Sequence, residues 1–209
     1  PAGESAAFLR GGELVVRLDG AEHALLDASE LRIFGRHNAE NALAAAALAL
    51  ELGVADDDVR SGLASFSPIE HRIEPVGEVG GVRFVNDSKA TNVDSVAKAL
   101  TAFEAGSVVV LLGGHDKGTE LDELAEAVRG RCRAAVCFGE AGERIARSLE
   151  GVPSDLVVLR AAHLREAFDA AVAEARPGET VLLSPACSSF DEFSNMAERG
   201  RRFKELVRD

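Results

Sequence analysis

The 209-residue sequence contains no Trp, no Tyr and only three cysteines, at positions 132, 137 and 187. Without Trp or Tyr there is little material for the aromatic platforms on which proteins stack nucleic-acid bases. An odd number of cysteines with no C-x-x-C pair argues against a disulfide framework and against a structural zinc site. We therefore expect reduced thiols in a cytoplasmic protein. Cys187 is expected to be a small buried residue rather than a nucleophile, since no histidine flanks it.

Basic residues are in the minority, because 23 Lys and Arg stand against 35 Asp and Glu, a formal net charge of −12. Surfaces for nucleic acids or anionic membranes need a basic patch, so this balance argues against both partners, although a few placed cations can still hold a small anionic ligand. The longest uncharged apolar run, residues 42–50, has nine residues and is too short to span a bilayer. Residues 1–10 lack the basic and apolar segments of a secretory signal.

Two nucleotide-binding motifs are also missing. The sequence contains neither G-x-x-x-x-G-K-[ST] nor G-x-G-x-x-G. These are the glycine-rich loops with which many proteins hold nucleotide phosphates. If the protein uses ATP, the loop that holds the phosphates is therefore expected outside this chain.

The first third of the sequence predicts only a small hydrophobic core. "ELVVRLDG" and "HALLDASELRIF" read as short strands separated by a turn. The alanine-rich run that follows predicts a helix with Asn38 as its N-cap and Gly53 at its end, and residues 56–66 predict a second, short helix. "SPIEHRIEPVGEVGG" interrupts the pattern with prolines and glycines, so we place a domain boundary near residues 67–75.

A regular alternation begins after that boundary. The strand-like runs "VRFVN", "SVVVLLGG", "AAVCFG", "LVVLR" and "TVLLSPA" are separated by segments with a helical pattern. The Val/Leu runs are continuous rather than alternating, which indicates strands buried on both faces. Strands and helices at this spacing predict an α/β fold with a doubly wound, mostly parallel sheet.

Three polar clusters follow three of these strands: "NDSKATN" (residues 86–92), "GGHDKG" (113–118) and "SPACSSFDEF" (184–193). The carboxyl ends of parallel strands lie at one edge of a sheet, so the clusters should meet in one crevice, where α/β proteins bind ligands. Each cluster alone has a simpler explanation as a turn with helix caps, the capping residues being Asn92, Ser184 and Ser189. Three clusters together favour a binding site.

Charged side chains near these clusters indicate an anionic ligand. Lys89 and Lys117 lie in loops with glycines and hydroxyl groups, a setting suited to phosphate or carboxylate oxygens, although a surface lysine is the simpler explanation for each alone. Asp87 and Asp116 are either neighbours of a Mg²⁺ ion or ordinary turn residues. Arg72, at the boundary, could reach a nucleotide or be a linker charge.

The segments "GRHNAENALAAAALA", "HRIE", "NDSKATN", "LLGGHDKG" and "LSPACSSFDEFSNMAERGRRFKELV" closely resemble the bacterial Mur ligases, and within them the D-glutamate-adding branch. The resemblance runs in order from about Leu31 to the end of the chain, and "DSKATN" and "SPAC-x-SFD-x-F" are its most specific parts. Enzymes of this family have three domains, of which the last is Rossmann-like. The resemblance implies that residues 1–70 are the end of the central ATP-binding domain and residues 71–209 the complete amino-acid-binding domain.

The resemblance also implies a reaction, the ATP-dependent formation of an amide in cytoplasmic peptidoglycan precursor synthesis. It implies Mg²⁺, and UDP-N-acetylmuramoyl-L-alanine and D-glutamate as substrates. The family's P-loop, metal ligands and carbamylated lysine are expected upstream of Pro1, so this chain alone is expected to be inactive. We expect a monomer with no nucleic-acid partner and no membrane insertion.

The match of motifs implies residues on the nucleotide side of the site. Asn41 resembles the adenine contact of the family, with Asn38 and His37 beside it, and Arg72 resembles an arginine that reaches ATP from the last domain. Asp87 resembles a residue that faces the phosphates and the metal region, and would also bind ATP. No residue of this chain is assigned as a metal ligand.

The match also implies residues on the amino-acid side. The carboxylates of D-glutamate would be held by Thr91, Lys117 and Ser189, with Phe190 adjacent. A dicarboxylate needs two anion pockets, and loops after separate strands can supply them. Lys89, like Asp87, resembles a residue that faces the phosphates. The implied catalytic residues are Asp87, Lys89 and Lys117.

The sequence departs from the family pattern in two places. An aspartate and a glycine precede the loop lysine in the familiar form of the motif, whereas this chain has His115 and Asp116, and Met196 stands where an aromatic residue closes the glutamate pocket. Both departures concern the amino-acid pocket rather than the class of reaction. Two other interpretations stay open: another amide ligase of the same superfamily, of the Mur or folylpolyglutamate type, and a free-standing α/β binding module without chemistry of its own.

Overall fold

The computed structural model describes residues 5–33, 35–67 and 69–209, apart from the side chains of Arg36 and His37. The chain divides into two compact units, Pro1–Pro68 and Ile69–Asp209. The resemblance places a boundary between residues 70 and 71, and the structure places the division between residues 68 and 69. Which domains of a longer protein the two units represent stays a prediction.

The first unit is a small antiparallel sheet followed by two helices. Strands β1 (Ala6–Arg10), β2 (Glu13–Leu18) and β3 (Ala21–Asp27) pair in that order, and helices α1 (Arg36–Glu51) and α2 (Asp56–Ser65) follow. Apolar side chains of β2, β3 and both helices form one core. Both predicted helices and the strand in "ELVVRLDG" are confirmed, whereas "HALLDASELRIF" is a strand only as far as Asp27 and continues as a 3-10 helix, Ala28–Glu30. β1 was not predicted, because most of its residues are exposed and no apolar alternation marks it.

Helix α1 begins earlier than the sequence predicts. Gly35 is its N-cap and Asn38 lies within the first turn, so the prediction of Asn38 as N-cap is wrong. The other end agrees with the sequence, because Gly53 follows the C-cap residue Leu52 and has a φ of 84°. Glycine adopts this left-handed conformation without steric cost, which is why it commonly follows the last turn of a helix.

The second unit contains a six-stranded sheet with the strand order β4-β5-β9-β6-β7-β8. All neighbouring pairs are parallel except β4 and β5, so the predicted mostly parallel sheet is confirmed. The last strand of the chain, β9, lies between β5 and β6. The strands are β4 (Glu74–Val79), β5 (Val82–Asn86), β6 (Val108–Gly113), β7 (Cys132–Phe138), β8 (Val157–Ala161) and β9 (Thr180–Ala186).

Five helices connect or follow these strands. They are α3 (Val93–Leu100), α4 (Asp122–Arg131), α5 (Gly142–Glu150), α6 (Leu164–Glu174) and α7 (Met196–Arg208). Within the described ranges of the chain, no helix is long and apolar enough to cross a membrane.

The helices cover both faces of the sheet. Val110 and Leu112 of β6 share one core with side chains of α3, α4 and α5, whereas Val109 and Leu111 share a second core with α6 and α7. Successive residues of a strand point to opposite faces, so a continuous apolar run is buried on both sides. This is the physical reason for the unbroken Val/Leu runs.

Strand β4 differs from the sequence prediction, which has only a boundary in this region. It pairs antiparallel with β5 at the edge of the sheet, with a register shift between Pro75 and Gly77. Proline lacks an N–H and glycine lacks a side chain to pack, and both are tolerated at a sheet edge or bulge. The same two residues that suggest a loop in the sequence therefore mark an irregular edge strand.

Candidate functional site

The three polar clusters lie at the carboxyl ends of three adjacent parallel strands. We call residues 86–92, which begin at the last residue of β5, the first loop, and residues 113–118, which begin at the last residue of β6, the second loop. Residues 184–193, which begin within β9 near its carboxyl end, are the third loop. β9 pairs with β5 on one side and with β6 on the other. The third loop therefore lies between the other two, and the predicted meeting of the clusters at one edge is confirmed.

Main-chain hydrogen bonds hold the three loops together. The N–H of Ala186 in the third loop donates to the carbonyl oxygen of Ala90 in the first loop, at 2.9 Å. The N–H of His115 in the second loop donates to the carbonyl oxygen of Ser188 in the third loop, also at 2.9 Å. The loops thus form one continuous surface rather than three separate turns.

Two glycines permit this close approach. Gly113 and Gly114 have φ angles of 144° and 127°, which residues with side chains rarely adopt. A Cβ on Gly113 would overlap the carbonyl oxygen of Phe138, and one on Gly114 would overlap that of Ser188. The Gly-Gly pair is therefore required by packing at the end of β6.

Asp87 in the first loop is a buried carboxylate, with 4% of its surface exposed. One oxygen accepts a hydrogen bond from the N–H of Ile73 (3.2 Å), and the other accepts one from the hydroxyl of Ser184 (2.8 Å). Burial raises the pKa of the Asp87 carboxyl to about 6, although both hydrogen bonds and the charge of Arg72 act in the opposite direction. Asp87 therefore connects the first loop to the third, and its role towards ATP stays a prediction.

The contacts of the capping candidates differ from one another. Asn92 is the N-cap of α3, and its side chain accepts a hydrogen bond from the N–H of Ser95 at 2.8 Å. Ser184 lies in β9 and donates to Asp87 instead, and Ser189 precedes α7, whose N-cap is Asn195. The capping explanation is therefore confirmed for Asn92 and wrong for the two serines.

Arg199 on α7 is fully buried and joins two of the loops. Its guanidinium donates to the hydroxyl of Ser88 (3.0 Å), to the carbonyl oxygen of Ser88 (2.9 Å) and to the carbonyl oxygen of Cys187 (3.0 Å). Burial lowers the pKa of Arg199 to about 10, so the group still carries its charge at neutral pH. The sequence does not reveal this role, because an arginine on an amphipathic helix has no local feature that distinguishes it from a surface charge.

The segment around Arg72 is held against the first loop. Arg72 itself is exposed, but its neighbours His71 and Ile73 have φ angles of 66° and 42°, which is strained for a β-branched residue such as Ile73. The buried His71 ring accepts a hydrogen bond on Nδ1 from the amide of Asn86 (2.9 Å), and burial lowers its pKa. The carbonyl oxygen of His71 accepts a hydrogen bond from the N–H of Lys89 (3.0 Å). These contacts fix the main chain on which Arg72 is presented.

The remaining predicted residues of the amino-acid side differ in exposure. Lys89, Lys117 and Phe190 are exposed, and Thr91 is half-buried. The hydroxyl of Ser189 is buried and has no hydrogen-bond partner among the described residues. Neither lysine ammonium group has a hydrogen bond or ion pair within the described part of the chain. Free cations and a free hydroxyl at one sheet edge are suited to an anionic ligand.

Asp116, in the second loop, and Cys187, in the third loop, have no group that is free to react or to bind a ligand. Both oxygens of Asp116 bind the guanidinium of Arg144, and this contact lowers the pKa of Asp116 to about 2. Cys187 is buried, and burial raises the pKa of its thiol to about 11, in keeping with the expected inert residue. The three cysteines are free, as the sequence predicts, and Cys132 and Cys137 are buried as well as Cys187.

Asn38 and Asn41, the predicted adenine contacts, belong to α1 in the first unit. Asn41 lines an apolar groove between α1 and α2, together with Ala42 and Phe66 among others. The side chain of His37 lies outside the described residues. The contacts of the first unit do not test the predicted role of these residues.

The second unit is thus a doubly wound α/β domain in which three polar loops meet at one edge of the sheet. A family model described as Mur ligase, glutamate ligase domain, matches residues 71–187, more than half of the chain. The chain belongs to the Mur ligase family, which confirms the family named from the sequence motifs.

Individual relatives agree with this assignment. The UDP-N-acetylmuramoylalanine--D-glutamate ligase of Thermoanaerobacter sp. (strain X514) is 40% identical over 207 residues, which cover 98% of this chain and 45% of the relative. The chain therefore spans less than half the length of the relative that it matches.

Two solved structures share the fold. A pseudomurein peptide ligase type C from Methanothermus fervidus has a TM-score of 0.71 at 17% identity, over 100% of this chain and 42% of that protein. A Mycobacterium tuberculosis folylpolyglutamate synthase complexed with ADP has a TM-score of 0.67 at 19% identity, over 98% of this chain and 47% of that protein. At these identities the likeness concerns the fold alone.

Proposed function

We propose that the protein of which this chain forms part is an ATP-dependent ligase that joins D-glutamate to UDP-N-acetylmuramoyl-L-alanine. The observation that carries the proposal is the meeting of the three polar loops at the carboxyl ends of β5, β9 and β6. The D-glutamate ligase named among the relatives supports the choice of substrates.

The loops offer the groups that an amino acid with two carboxylates needs. The exposed ammonium of Lys117 and the half-buried hydroxyl of Thr91 come from the second and first loops. The buried hydroxyl of Ser189, which lacks a partner among the described residues, comes from the third loop. Because the loops are held together by main-chain hydrogen bonds, two carboxylates of one small molecule can be bound at separate points. We assign Thr91, Lys117 and Ser189 to these carboxylates, with Phe190 at the rim.

The proposed reaction has two steps. The substrate carboxylate attacks the γ-phosphorus of ATP, which breaks the bond to the β–γ bridging oxygen and gives an acyl phosphate and ADP. The amine of D-glutamate then attacks the acyl carbon, and the tetrahedral intermediate collapses to an amide and inorganic phosphate. Lys89 offsets negative charge on the transferring phosphoryl group, and Arg72 reaches the nucleotide. Asp87 holds the first loop in place and, by the match of motifs, faces the same region.

The family resemblance also implies Mg²⁺. Among the residues that the structure describes, no group of three or more His, Cys, Asp or Glu side chains could hold a metal ion. Asp87 and Asp116, the two candidates near the loops, each have both oxygens occupied by hydrogen bonds. These residues do not form a magnesium site by themselves, and the roles proposed for this chain do not depend on one.

In this chain, Asn41 is assigned to the adenine of ATP, with Asn38 beside it. The remaining groups of the site are proposed to lie elsewhere in the longer protein. The phosphate-binding loop and the UDP-binding part are absent from this sequence, so the 209-residue chain alone is proposed to be inactive. The complete enzyme is proposed to act as a monomer in the cytoplasm.

Phosphate release from ATP tests the proposal. The full-length protein, and this chain as a control, are incubated with ATP and UDP-N-acetylmuramoyl-L-alanine, with either D-glutamate or L-glutamate. D-glutamate-dependent release by the full-length protein alone is the expected result. Release with L-glutamate or a diamino acid, and none with D-glutamate, would assign the protein to another ligase of the superfamily. No release from folded full-length protein with any amino acid would refute the ligase activity.

A further inference from the structure

Arg144, on the first turn of α5, contacts Asp116 in the second loop and Thr119 just after it, on the two sides of Lys117. Its Nε and Nη2 atoms donate to the two carboxylate oxygens of Asp116, at 2.7 and 2.6 Å. Its Nη1 atom donates to the carbonyl oxygen of Thr119, at 2.9 Å. Lys117 lies between these two anchor points, so one guanidinium fixes the path of the main chain that carries it.

The rest of the loop depends on the same carboxylate. Asp116 Oδ1 also accepts a hydrogen bond from the N–H of Gly118 at 2.8 Å, which closes a turn around Lys117. On the other side, Glu140 accepts hydrogen bonds from the His115 ring (2.7 Å) and the N–H of Asp116 (3.3 Å). Residues 117–120 are otherwise exposed, so few packing contacts hold this segment.

Charge gives Arg144 a second effect on Lys117. A free carboxylate at position 116 would attract the neighbouring ammonium group and would repel an anionic ligand. Because Arg144 binds both oxygens of Asp116, the carboxylate is neutralised locally, and the Lys117 ammonium has no partner among the described residues. A planar guanidinium suits this double contact, whereas the single ammonium of a lysine cannot reproduce it. Lys117 and Arg144 line one small cleft together with Cys187.

We infer that Arg144 is a positioning residue for the amino-acid substrate: through Asp116 and Thr119 it holds Lys117 in the conformation that receives a carboxylate. The inference rests on the proposed function, because it takes Lys117 as a ligand of the amino acid. It adds a residue on α5 that acts through its contacts with residues 116 and 119 and that the match of motifs did not assign. It also gives a physical role to Asp116, one of the two departures from the family pattern.

The test is steady-state kinetics of the full-length protein with Arg144→Gln, Arg144→Lys, Asp116→Asn and the double variant Asp116→Asn/Arg144→Gln. Arg147→Gln is the matched control, since Arg147 is an exposed arginine on the same helix that pairs with Glu143. KM is measured separately for D-glutamate and for ATP.

Arg144→Gln is expected to raise KM for D-glutamate roughly tenfold, the equivalent of about one charge-assisted hydrogen bond, and to leave KM for ATP within about twofold. Arg144→Lys is also expected to raise KM for D-glutamate, because the contacts to residues 116 and 119 cannot all be kept. The double variant is expected to lose less than the sum of the two single losses, because most of the effect of Arg144 passes through the Asp116 carboxylate and only the contact with Thr119 is additional. Arg147→Gln is expected to change neither KM.

Other outcomes would overturn the inference. Equal increases in both KM values would show general destabilisation, and wild-type kinetics of Arg144→Lys would show that charge without the double contact suffices. Full additivity of the two single losses in the double variant would show that Arg144 acts independently of Asp116. Failure of the proposed function is distinguishable, because the wild-type enzyme would then show no D-glutamate-dependent phosphate release.

Discussion

The burial of Asp87 predicts that Asp87→Asn stabilises the second unit at neutral pH. Asparagine has the same shape as aspartate, so its side-chain oxygen can still accept from the N–H of Ile73. Its amide can donate to the hydroxyl of Ser184, which then acts as acceptor. The substitution thus keeps both hydrogen bonds and removes a charge from a site with 4% exposure.

The magnitude follows from the pKa of the Asp87 carboxyl, which burial raises from 3.8 to about 6. A group whose pKa is higher in the folded protein contributes its full stability below the unfolded pKa, and that contribution is lost as the pH rises through the folded pKa. A difference of about 2 units corresponds to about 3 kcal/mol. This energy is the cost of burying the ionised carboxylate of Asp87. By the same linkage, about half of it is present at pH 5 and nearly all of it at pH 7.

Urea denaturation of wild type and Asp87→Asn between pH 5 and 8 measures the effect. Far-UV circular dichroism is the suitable signal, because the chain has no Trp or Tyr for fluorescence. Asp94→Asn, at an exposed carboxylate on α3, controls for the loss of one charge. The free energy of unfolding of Asp87→Asn relative to wild type should increase by about 1.5 kcal/mol from pH 5 to pH 7, and this difference is the advantage of the variant. An advantage that does not grow with pH, or a loss of stability at every pH, would refute the reasoning.

Three further predictions concern the loops. Gly114→Ala should lower the free energy of unfolding by at least about 2 kcal/mol, because it places a side chain at positive φ against a carbonyl oxygen. Gly130→Ala in α4 is the control and should not lower it, and thermal unfolding compares the two variants. Arg199→Met should lower the free energy of unfolding, measured by urea denaturation, by about 3 kcal/mol, because it leaves buried carbonyl oxygens unpaired. Arg202→Met, at an exposed arginine of the same helix, should lower it far less. Lys117→Ala in the full-length enzyme should weaken the binding of D-glutamate by about 1.5–3 kcal/mol and the binding of ATP far less. Equal increases in the two KM values would contradict the assignment of Lys117 to D-glutamate.

The parts of the fold that the sequence predicts well are those governed by burial. The Val/Leu run of β6 is buried on both faces, so it reads as a strand without knowledge of its neighbours. The position of the three loops follows from the same pattern, since parallel strands place their carboxyl ends together. Recognition of the family rested on the side chains in those loops and not on the pattern itself.

Other parts depend on contacts between residues far apart in the chain. The place of β9 between β5 and β6 is set by pairing across the whole unit, which no local run of residues encodes. Arg199 and Arg144 both lie on helices with an amphipathic pattern, and only the folded structure shows that one is fully buried and the other binds Asp116. β4 was missed because Pro75 and Gly77 carry the local signal of a loop.

The central place of β9 has a consequence for the order in which the unit folds during synthesis. A growing chain that has reached Glu174 contains β5 and β6, yet the edges of these two strands that face each other have no partner until residues 180–186 emerge. Unpaired edges of apolar strands are prone to association with other chains, so we expect the unit to be prone to aggregation during this interval. The third loop arrives with the same strand. The three loops can therefore meet only after residues 180–186 have been synthesised.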